Sequence, residues 1–471
     1  MAASLKTRRD RYEQGRALRA RVPREAHAKL QGPRDRDPVA ILAESDAERV
    51  PGLLPERYRR MTVDAFGFLR GAAAVMASDL AHQPLAGAPV QACGDCHLMN
   101  FGAFNSPEDN ILFDINDFDE TLPGVDFTVD VKRLAASVAV AAKAASMSDK
   151  RARRFAATTV GAYREHMLAL MDLSPLEIWH SRIDLEQELK QIESLSLRRG
   201  LSAVIRRARA TGLERDDNFP HLVTGSEPRI ADKPPTIFHM SSKTLGGRKI
   251  DFARGFALYR ESLTPDRTVL LDRYRLADVA FKAVGVGSVG TICVVGLFLN
   301  GDGEPLFLQV KQAQRSVLER LSARLAYRGP QGRRVVEGQR MMQAASDIFL
   351  GWTSDEPLGV DFYVRILKNR RLGGVSELAE QEALSEYARL CGRTLARSHA
   401  RTGDSALIAG YMGRNGVFDD ALASFAMAYG EQTVRDHAQL VKAKGGAKAE
   451  APPKTAKPEP KPVAKAERKS A

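Results

Sequence analysis

Apolar residues recur every three or four positions along much of the chain, and this spacing predicts helices. One apolar helical face runs through residues 62–82 and contains Phe68, Ala72, Val75, Met76 and Leu80. The same spacing predicts helices over residues 128–171 (two helices, separated around 146–149), 175–215, 335–350, 376–401 and 417–442. Most of the chain is therefore expected to be helical.

A different pattern begins near residue 275, where short runs of β-branched and aromatic residues predict strands. The runs TICVVGLFL (291–299) and PLFLQVK (305–311) flank the turn sequence NGDG. Two such runs around a tight turn predict a β-hairpin. A further run, FYVRIL at 362–367, predicts another strand. We therefore expect an α+β fold, with a mainly helical body and a smaller β-rich lobe.

The composition, 44% hydrophobic and 27% charged residues, is that of an ordinary soluble globular protein. No stretch reaches the roughly 20 apolar residues that a membrane helix needs. The basic N-terminus lacks the apolar core of a signal peptide, so we expect a cytoplasmic protein without a membrane partner. Four cysteines in 471 residues do not make a disulfide framework.

The net charge of +12 is unevenly distributed. Residues 441–471 contain 8 Lys, 1 Arg and 3 Glu, and so carry half of the excess positive charge. This Pro/Ala/Lys-rich tail is predicted to be disordered. Because the charge is concentrated there, the high isoelectric point is weak support for specific nucleic-acid binding.

Two polar segments in the first third of the chain suit phosphoryl transfer. In GDCHLMNFG (94–102), Asp95 can accept the proton of an attacking hydroxyl and Asn100 can ligate a metal. In FDINDFDE (113–120), apolar residues alternate with acidic ones, and such oxygen-rich clusters suit a Mg²⁺ that bridges nucleotide phosphates. A solvated acidic loop is an equal alternative for either segment alone.

The glycine-rich run GVGSVG supplies four candidate phosphate-binding residues, Gly285, Gly287, Ser288 and Gly290. A dinucleotide site requires a helix after the glycines. Here a strand, a turn and a second strand follow, and the second strand carries Lys311. That order is the protein-kinase arrangement, in which the lysine reaches the α- and β-phosphates. The alternative is a glycine-rich hairpin with a surface lysine.

These motifs resemble those of aminoglycoside phosphotransferases and related small-molecule kinases. Residues 94–100 are similar to their G-D-x-H-x-x-N loop, and residues 117–119 (DFD) resemble their I-D-F-[GD] metal segment. Residues 130–135 (DVKRLA) resemble the later D-L-A helix start. Residues 395–400 (LARSHA) resemble the L-A-R-L-H-A helix that usually precedes the catalytic loop.

Residues from about 20 to 440 also resemble an uncharacterised bacterial family, domain of unknown function 2252. Its stretches R-x-x-R-M, F-x-F-x-R-G, G-D-x-H-x-x-N-F-G, F-D-x-N-D-F-D-E and G-x-G-S-V-G-T are present almost unchanged. This resemblance is specific, but it implies no settled activity.

The order of the motifs differs from that of ordinary kinases, because the glycine run and its lysine follow the predicted catalytic loop, residues 94–102. A protein-kinase-like two-lobe fold is therefore expected in circularly permuted form, with a mainly helical large lobe and a small antiparallel β lobe. The expected parts are a basic arm (1–59), a helical catalytic lobe (60–270), a β-rich nucleotide lobe (271–372), helices that complete the large lobe (373–440) and a basic tail (441–471). The hypothesis requires the two lobes to face each other across a cleft.

The resemblance implies a role for each acidic or amide side chain. Asp95 would be the catalytic base, or would orient the acceptor hydroxyl. Asn100 and Asp117 would hold Mg²⁺, with Asp114 and Asp119 as second choices.

For Lys311, the resemblance implies contact with the ATP phosphates and an ion pair with a helix glutamate. Glu337 is the predicted partner, and Glu319 is the alternative. The predicted function is ATP- and Mg²⁺-dependent phosphoryl transfer to a hydroxyl, by analogy that of a small molecule rather than a protein. A nucleotide-binding pseudokinase scaffold and AMP transfer to a protein remain open, and neither the acceptor nor the oligomeric state is readable from the sequence.

Overall fold

The computed structural model describes residues 6–33, 35–209, 220–223, 228–234, 236–239, 252–282, 289–357, 359–367 and 381–444. Its helices are α1 (Arg8–Ala17), α2 (Pro38–Asp46), α3 (Leu54–Met61), α4 (Ala65–Gly71), α5 (Ala73–Leu80), α6 (Thr128–Ala144), α7 (Asp149–Met171), α8 (Pro175–His180), α9 (Leu185–Glu188), α10 (Leu195–Arg209), α11 (Phe252–Glu261), α12 (Pro265–Leu271), α13 (Gln331–Met342), α14 (Gln381–Ala400), α15 (Ser405–Met412) and α16 (Val417–Lys444). Its strands are β1 (Pro89–Ala92), β2 (Phe101–Asn105), β3 (Ile111–Ile115), β4 (Leu122–Asp126), β5 (Leu222–Val223), β6 (Arg229–Ile230), β7 (Ile237–Phe238), β8 (Arg275–Lys282), β9 (Cys293–Leu299), β10 (Pro305–Ala313), β11 (Gly351–Asp355) and β12 (Val360–Ile366).

The helical body is built around α6, which packs against α7, α14 and α16. Every residue of α6 from its first position to Ala142 is buried, because its alanines and small side chains allow neighbouring helices to approach on all sides. The break between α6 and α7 falls at the predicted position. Two short antiparallel strand pairs, β1 with β4 and β2 with β3, lie beside these helices.

The N-terminal arm packs on this body through α1 and α15. A Cβ atom at Gly15 would lie 1.9 Å from the Leu407 carbonyl oxygen, and one at Gly410 would lie 2.0 Å from the Tyr12 carbonyl oxygen. Arg19 Nε also donates to the Tyr411 carbonyl, at 2.9 Å. Close backbone approach at two glycines therefore fixes the arm to the body.

A six-stranded antiparallel sheet forms the β-rich part, in the order β11-β12-β10-β9-β8-β7. The predicted hairpin is confirmed: β9 pairs with β10, and the Gly303 amide closes the turn on the Asn300 carbonyl at 3.1 Å. The predicted strand at 362–367 corresponds to β12. An α+β architecture with a mainly helical body is thus what the structure shows.

Helix α13 follows β10 and ends at Met342, earlier than the predicted span 335–350. After the helix, Gln343 Nε2 donates to the Ile115 carbonyl at 2.6 Å, and the Ala344 amide donates to Asp114 at 2.9 Å. These tertiary hydrogen bonds draw the chain away from the helix axis, so the local pattern overestimated the helix length.

The two faces of the sheet have different surroundings. Cross-strand register places Lys311 beside Cys293 of β9 and Tyr363 of β12, on one face. The opposite face packs under α11 and α12, and it carries an apolar groove of about 690 Å³, open to solvent, whose lining includes Phe298, Leu308 and Val364. The groove is therefore separated from Lys311 by the thickness of the sheet.

Among the helices that the structure describes, none has both the length and the apolar character needed to span a membrane.

Candidate functional site

The polar centre of the molecule is an ion pair between the sheet and the helical body. Lys311 Nζ donates to Asp119 Oδ2, and the Tyr363 hydroxyl donates to Asp119 Oδ1 at 2.7 Å. Burial alone would raise the pKa of Asp119, but the Lys311 ammonium holds that pKa at about 2. Burial would lower the pKa of Lys311, and Asp119 instead raises it above its usual range. Both groups are therefore charged at neutral pH.

Two arginines, Arg334, which is buried, and Arg365, which is half-buried, hold the backbone of the acidic segment 116–121 against the sheet. Arg334 of α13 donates to the Thr121 carbonyl and, at 2.9 Å, to the Asp119 carbonyl. Arg365 of β12 donates to the Asn116 carbonyl at 3.2 Å. The planar guanidinium group presents several donors in a fixed geometry, so each arginine orders several residues at once.

Asp130, in the first turn of α6, holds the start of the loop 94–102, the predicted catalytic loop. Its carboxylate accepts the Cys93 amide at 2.7 Å and the Gly94 amide at 3.0 Å. His399 Nε2 of α14 lies 3.1 Å from Asp130 Oδ2, and His399 Nδ1 lies 2.9 Å from the Tyr163 hydroxyl. Helices α6, α7 and α14 together therefore determine where the loop begins.

Gly94 is required by close packing of the loop 94–102 on the acidic segment. Its φ is +85°, in the region that favours glycine, and a Cβ atom there would lie 2.4 Å from the Glu120 carbonyl oxygen. Burial raises the pKa of the Glu120 carboxyl to about 7. That carboxylate also accepts the Val317 amide at 2.7 Å.

Asp95 is the acidic residue of the loop 94–102, and 16% of its side chain is accessible. Arg133 Nε donates to Asp95 Oδ1 at 2.7 Å. Burial raises the pKa of Asp95, Arg133 opposes this shift, and the nearby Asp117 carboxylate adds to it. Asn100 Nδ2 donates to the Asp95 carbonyl at 2.6 Å, and the Asn100 carbonyl accepts the Asn116 amide at 2.8 Å. The catalytic loop and the acidic segment are thus directly joined.

Asp117 is near both Lys311 and Asp95, since its charge raises the pKa of both groups. It is half-buried, and its Oδ1 atom accepts the Asp119 amide at 3.3 Å. The structure therefore brings together Asp95, Asn100, Asp117 and Lys311, four of the residues predicted from the motifs.

Asp114 has a different environment from Asp117. Its side chain is buried, and Arg397 of α14 contacts both carboxylate oxygens, at 2.6 and 2.7 Å. The Ala344 and Ile115 amides, both at 2.9 Å, also donate to the carboxylate. Because these oxygens are engaged in the core, Asp117 is the better-placed of the two predicted metal ligands.

The predicted pairing of Lys311 with Glu337 is wrong. Glu337 lies on the outer face of α13 and accepts from Arg333 at 2.7 Å, one turn earlier on the same helix. Glu319, the alternative partner, accepts from Arg315 at 3.0 Å. Each of these arginines lies four residues before its glutamate, a spacing that brings the two side chains together, and so each glutamate pairs locally and not with Lys311.

Of the predicted phosphate-binding residues, Gly285, Gly287 and Ser288 lie outside the described residues. Gly290 is described, with φ +97°, and its carbonyl accepts the Val50 amide at 2.7 Å.

Within the described ranges, no group of three or more His, Cys, Asp or Glu side chains is arranged to hold a metal ion. A Mg²⁺ that bridges nucleotide phosphates needs only one or two protein carboxylates, because phosphates and water supply the other ligands. Asp117 and Asn100 fit this role. Asn100 Oδ1, the atom that a metal requires, accepts no hydrogen bond from any residue that the structure describes.

Sequence reasoning did not find Arg334, Arg365 or Arg133, although all three contact the site. Two of these arginines could have been noticed in the sequence because each is a charged residue within an apolar segment: Arg365 in the strand 362–367 and Arg133 in the alanine-rich α6. A charged residue in such a setting is rarely buried unless it has partners.

Comparison with protein families identifies one family, described as an uncharacterized protein conserved in bacteria (DUF2252), whose model matches residues 49–443. The chain belongs to this family. Comparisons with curated proteins and with solved structures gave no match.

Proposed function

We propose that the protein transfers the γ-phosphoryl group of ATP to a hydroxyl group of an acceptor. The observation that carries this proposal is that Asp117, Asn100 and Asp95 lie in one polar region with Lys311 of the sheet. These are the side-chain types that phosphoryl transfer requires: a cation for phosphates, oxygen ligands for Mg²⁺ and a carboxylate for the acceptor proton.

The order of elements in the β-rich part supports a kinase-like arrangement. Strands β8, β9 and β10 are consecutive neighbours in the sheet, Lys311 lies on the third of them, and helix α13 follows. The template for kinases has its lysine on the third strand and a helix after it. The catalytic loop similarly precedes the pair β2 and β3, and the acidic segment follows that pair.

The end of α14 supports a circular permutation. The Gln91 amide donates to Thr402 Oγ1 at 3.1 Å, and a Cβ atom at Gly403 would lie 2.7 Å from the Val90 side chain. The residues after α14 thus lie against β1, the strand that leads into the catalytic loop. In the proposed ancestral order the helix would continue into this strand through a short connection.

In the proposed reaction the acceptor oxygen attacks the γ-phosphorus and forms a new O–P bond. The bond between that phosphorus and the β,γ-bridging oxygen breaks, and its electron pair leaves with ADP. Asp95 accepts the hydroxyl proton, and its raised pKa makes it a stronger base than an exposed aspartate. Mg²⁺ held by Asp117 and Asn100 would neutralise phosphate charge.

Lys311 has to exchange its partner when the nucleotide binds. Its ammonium contacts Asp119 in the structure, and in the ATP complex it would contact the α- and β-phosphates instead. Asp119 would keep the Tyr363 hydroxyl as a donor at 2.7 Å. A buried lysine can change partners at moderate cost only if another anion takes the place of the first.

Nucleotide binding provides the test. We expect ATP·Mg²⁺ to raise the melting temperature of the wild type, and Lys311→Ala or Asp117→Ala to weaken ATP affinity by about tenfold or more, which is ~1.4 kcal/mol or more. Lys150→Ala, an exposed lysine on α7, is the matched control and should bind normally.

The group that moves is identified by labelling. With ATP labelled at the γ-phosphate, the label should appear in an acceptor from a mixture of hydroxyl compounds and cell extract. Label transferred from the α-phosphate would instead indicate AMP transfer, and would contradict the proposal. Wild-type protein without any nucleotide-dependent thermal shift would exclude it altogether.

A further inference from the structure

The short segment between α2 and α3 reaches the site from the N-terminal arm. Arg49 Nη1 donates to the Val289 carbonyl at 2.7 Å, and the Val50 amide donates to the Gly290 carbonyl at the same distance. Two consecutive residues of the arm therefore hold the chain immediately before β9, whose partner strand carries Lys311.

The charge around Arg49 is incompletely balanced. Only 9% of its side chain is exposed, and its Nε lies 3.3 Å from Asp46 Oδ1. The same carboxylate oxygen lies 3.1 Å from Arg57 Nε, so one aspartate serves two guanidinium groups. The Tyr58 hydroxyl also donates to Asp46. Arg49 Nε has no hydrogen-bond partner in the part of the chain that the structure describes.

Electrostatic interactions place Arg49 near the reaction centre. Burial and the neighbouring Arg57 lower the pKa of Arg49 to about 10, whereas Asp46, Glu120 and Asp119 oppose the shift. Asp119 is the partner of Lys311, so the charges that act on Arg49 include the carboxylate that holds Lys311.

We propose that Arg49 is a catalytic arginine supplied in cis, whose guanidinium group contacts the terminal phosphate of bound ATP. This inference rests on the proposed phosphotransferase function and adds a residue to its site. A buried guanidinium without a full complement of acceptors is stabilised by an anion, and its fork matches phosphate oxygens. During transfer it would stabilise the charge on the moving phosphoryl group, as arginine fingers do.

The test compares ATP with ADP, because only ATP has the terminal phosphate. In Arg49→Gln we expect the dissociation constant for ATP·Mg²⁺ to rise about tenfold, with ADP·Mg²⁺ affinity within about twofold of the wild type. The transfer rate should fall about 10³-fold. Arg59→Gln is the matched control: Arg59 lies on α3, is exposed, pairs with Glu56 at 2.6 Å, and should change none of these quantities.

A second variant covers the case in which Arg49→Gln does not fold. Arg49→Lys keeps the positive charge but loses the fork, so it should bind ATP nearly as well as the wild type and still transfer at least tenfold more slowly. Unchanged transfer in Arg49→Lys would overturn the inference.

The outcomes separate this inference from the proposed function. Equal losses of ATP and ADP affinity in Arg49→Gln would show that Arg49 only braces Val289, and would overturn the catalytic role. Normal binding and transfer in Arg49→Gln, with weak binding in Lys311→Ala, would also overturn it and leave the phosphotransferase function intact. Absence of nucleotide binding by the wild type would overturn both.

Discussion

At the scale of single residues, burial separates carboxylates that look equivalent in the chain. Asp114 and Asp117 belong to one acidic run at the end of β3, yet Asp114 is paired with Arg397 in the core and Asp117 is half-buried beside Lys311. Removing one partner of a buried pair leaves the other charge unpaired, whereas removing a half-exposed ligand costs little stability.

Substitution by asparagine should therefore separate the two roles. We expect Asp114→Asn to lower the free energy of unfolding by about 3–5 kcal/mol in urea titrations, while the folded fraction keeps its ATP·Mg²⁺ affinity. Asp117→Asn should weaken the binding of ATP·Mg²⁺ and leave the free energy of unfolding almost unchanged. Glu108→Gln, an exposed position in the β2–β3 turn, should change neither quantity. Loss of nucleotide affinity in folded Asp114→Asn would show that Asp114 belongs to the proposed metal site.

The residues that motifs could indicate were those with a chemical reason for their spacing. Asp95, Asn100, Asp117 and Lys311 were selected on this ground, and in the structure they lie in one polar region. The partner of Lys311 was mistaken, because the choice between Glu337 and Asp119 depends on how a helix faces a loop more than 200 residues earlier in the chain. Periodicity carries no information about such long-range contacts.

At the scale of elements, helix periodicity and the turn sequence predicted most helices and the β9–β10 hairpin, because both signals are local. The end of α13 and the contact of α1 with α15 could not be predicted in this way. The arm was predicted only as a basic segment, since nothing in its own sequence identifies Gly410 as the surface on which it packs.

That contact leads to a prediction about stability. A methyl group at residue 410 would approach the Tyr12 carbonyl oxygen to 2.0 Å, so Gly410→Ala should lower the free energy of unfolding by about 1–3 kcal/mol. Gly430→Ala in α16 is the control: its nearest neighbour is 3.6 Å away, and the change should be neutral or stabilising by up to about 1 kcal/mol. Thermal and urea unfolding measure both. Equal effects of the two substitutions would contradict tight α1–α15 packing.

At the scale of the whole molecule, the site joins segments from distant parts of the chain. Arg334 and Arg365 tie the sheet to the acidic segment of the helical body. A ligand that bridges these parts should stabilise them together. If it binds only the folded state, it raises the free energy of unfolding by the same amount for every part that must be folded for binding.

The two tryptophans allow this to be measured. Trp179 in α8 stacks on Arg401 in the helical body, and Trp352 lies on β11 in the sheet. Each of the variants Trp179→Phe and Trp352→Phe keeps one tryptophan, whose fluorescence reports on one part of the molecule. We expect the two variants to unfold at the same urea concentration. ATP·Mg²⁺ at 100 times its dissociation constant should shift both by about 2.7 kcal/mol, and ATP with excess EDTA should shift them less. A ligand-dependent shift of only one reporter would show that the parts unfold independently.

The position of His399 has a consequence for synthesis on the ribosome. The loop 94–102 emerges in the first quarter of translation, but His399, which contacts the supporting Asp130, is made about 300 residues later. Domains usually fold as their residues emerge, in order from the N-terminus. Here the loop 94–102 reaches its final arrangement only after α14 has been made, so a chain released earlier would lack the contact of His399 with Asp130.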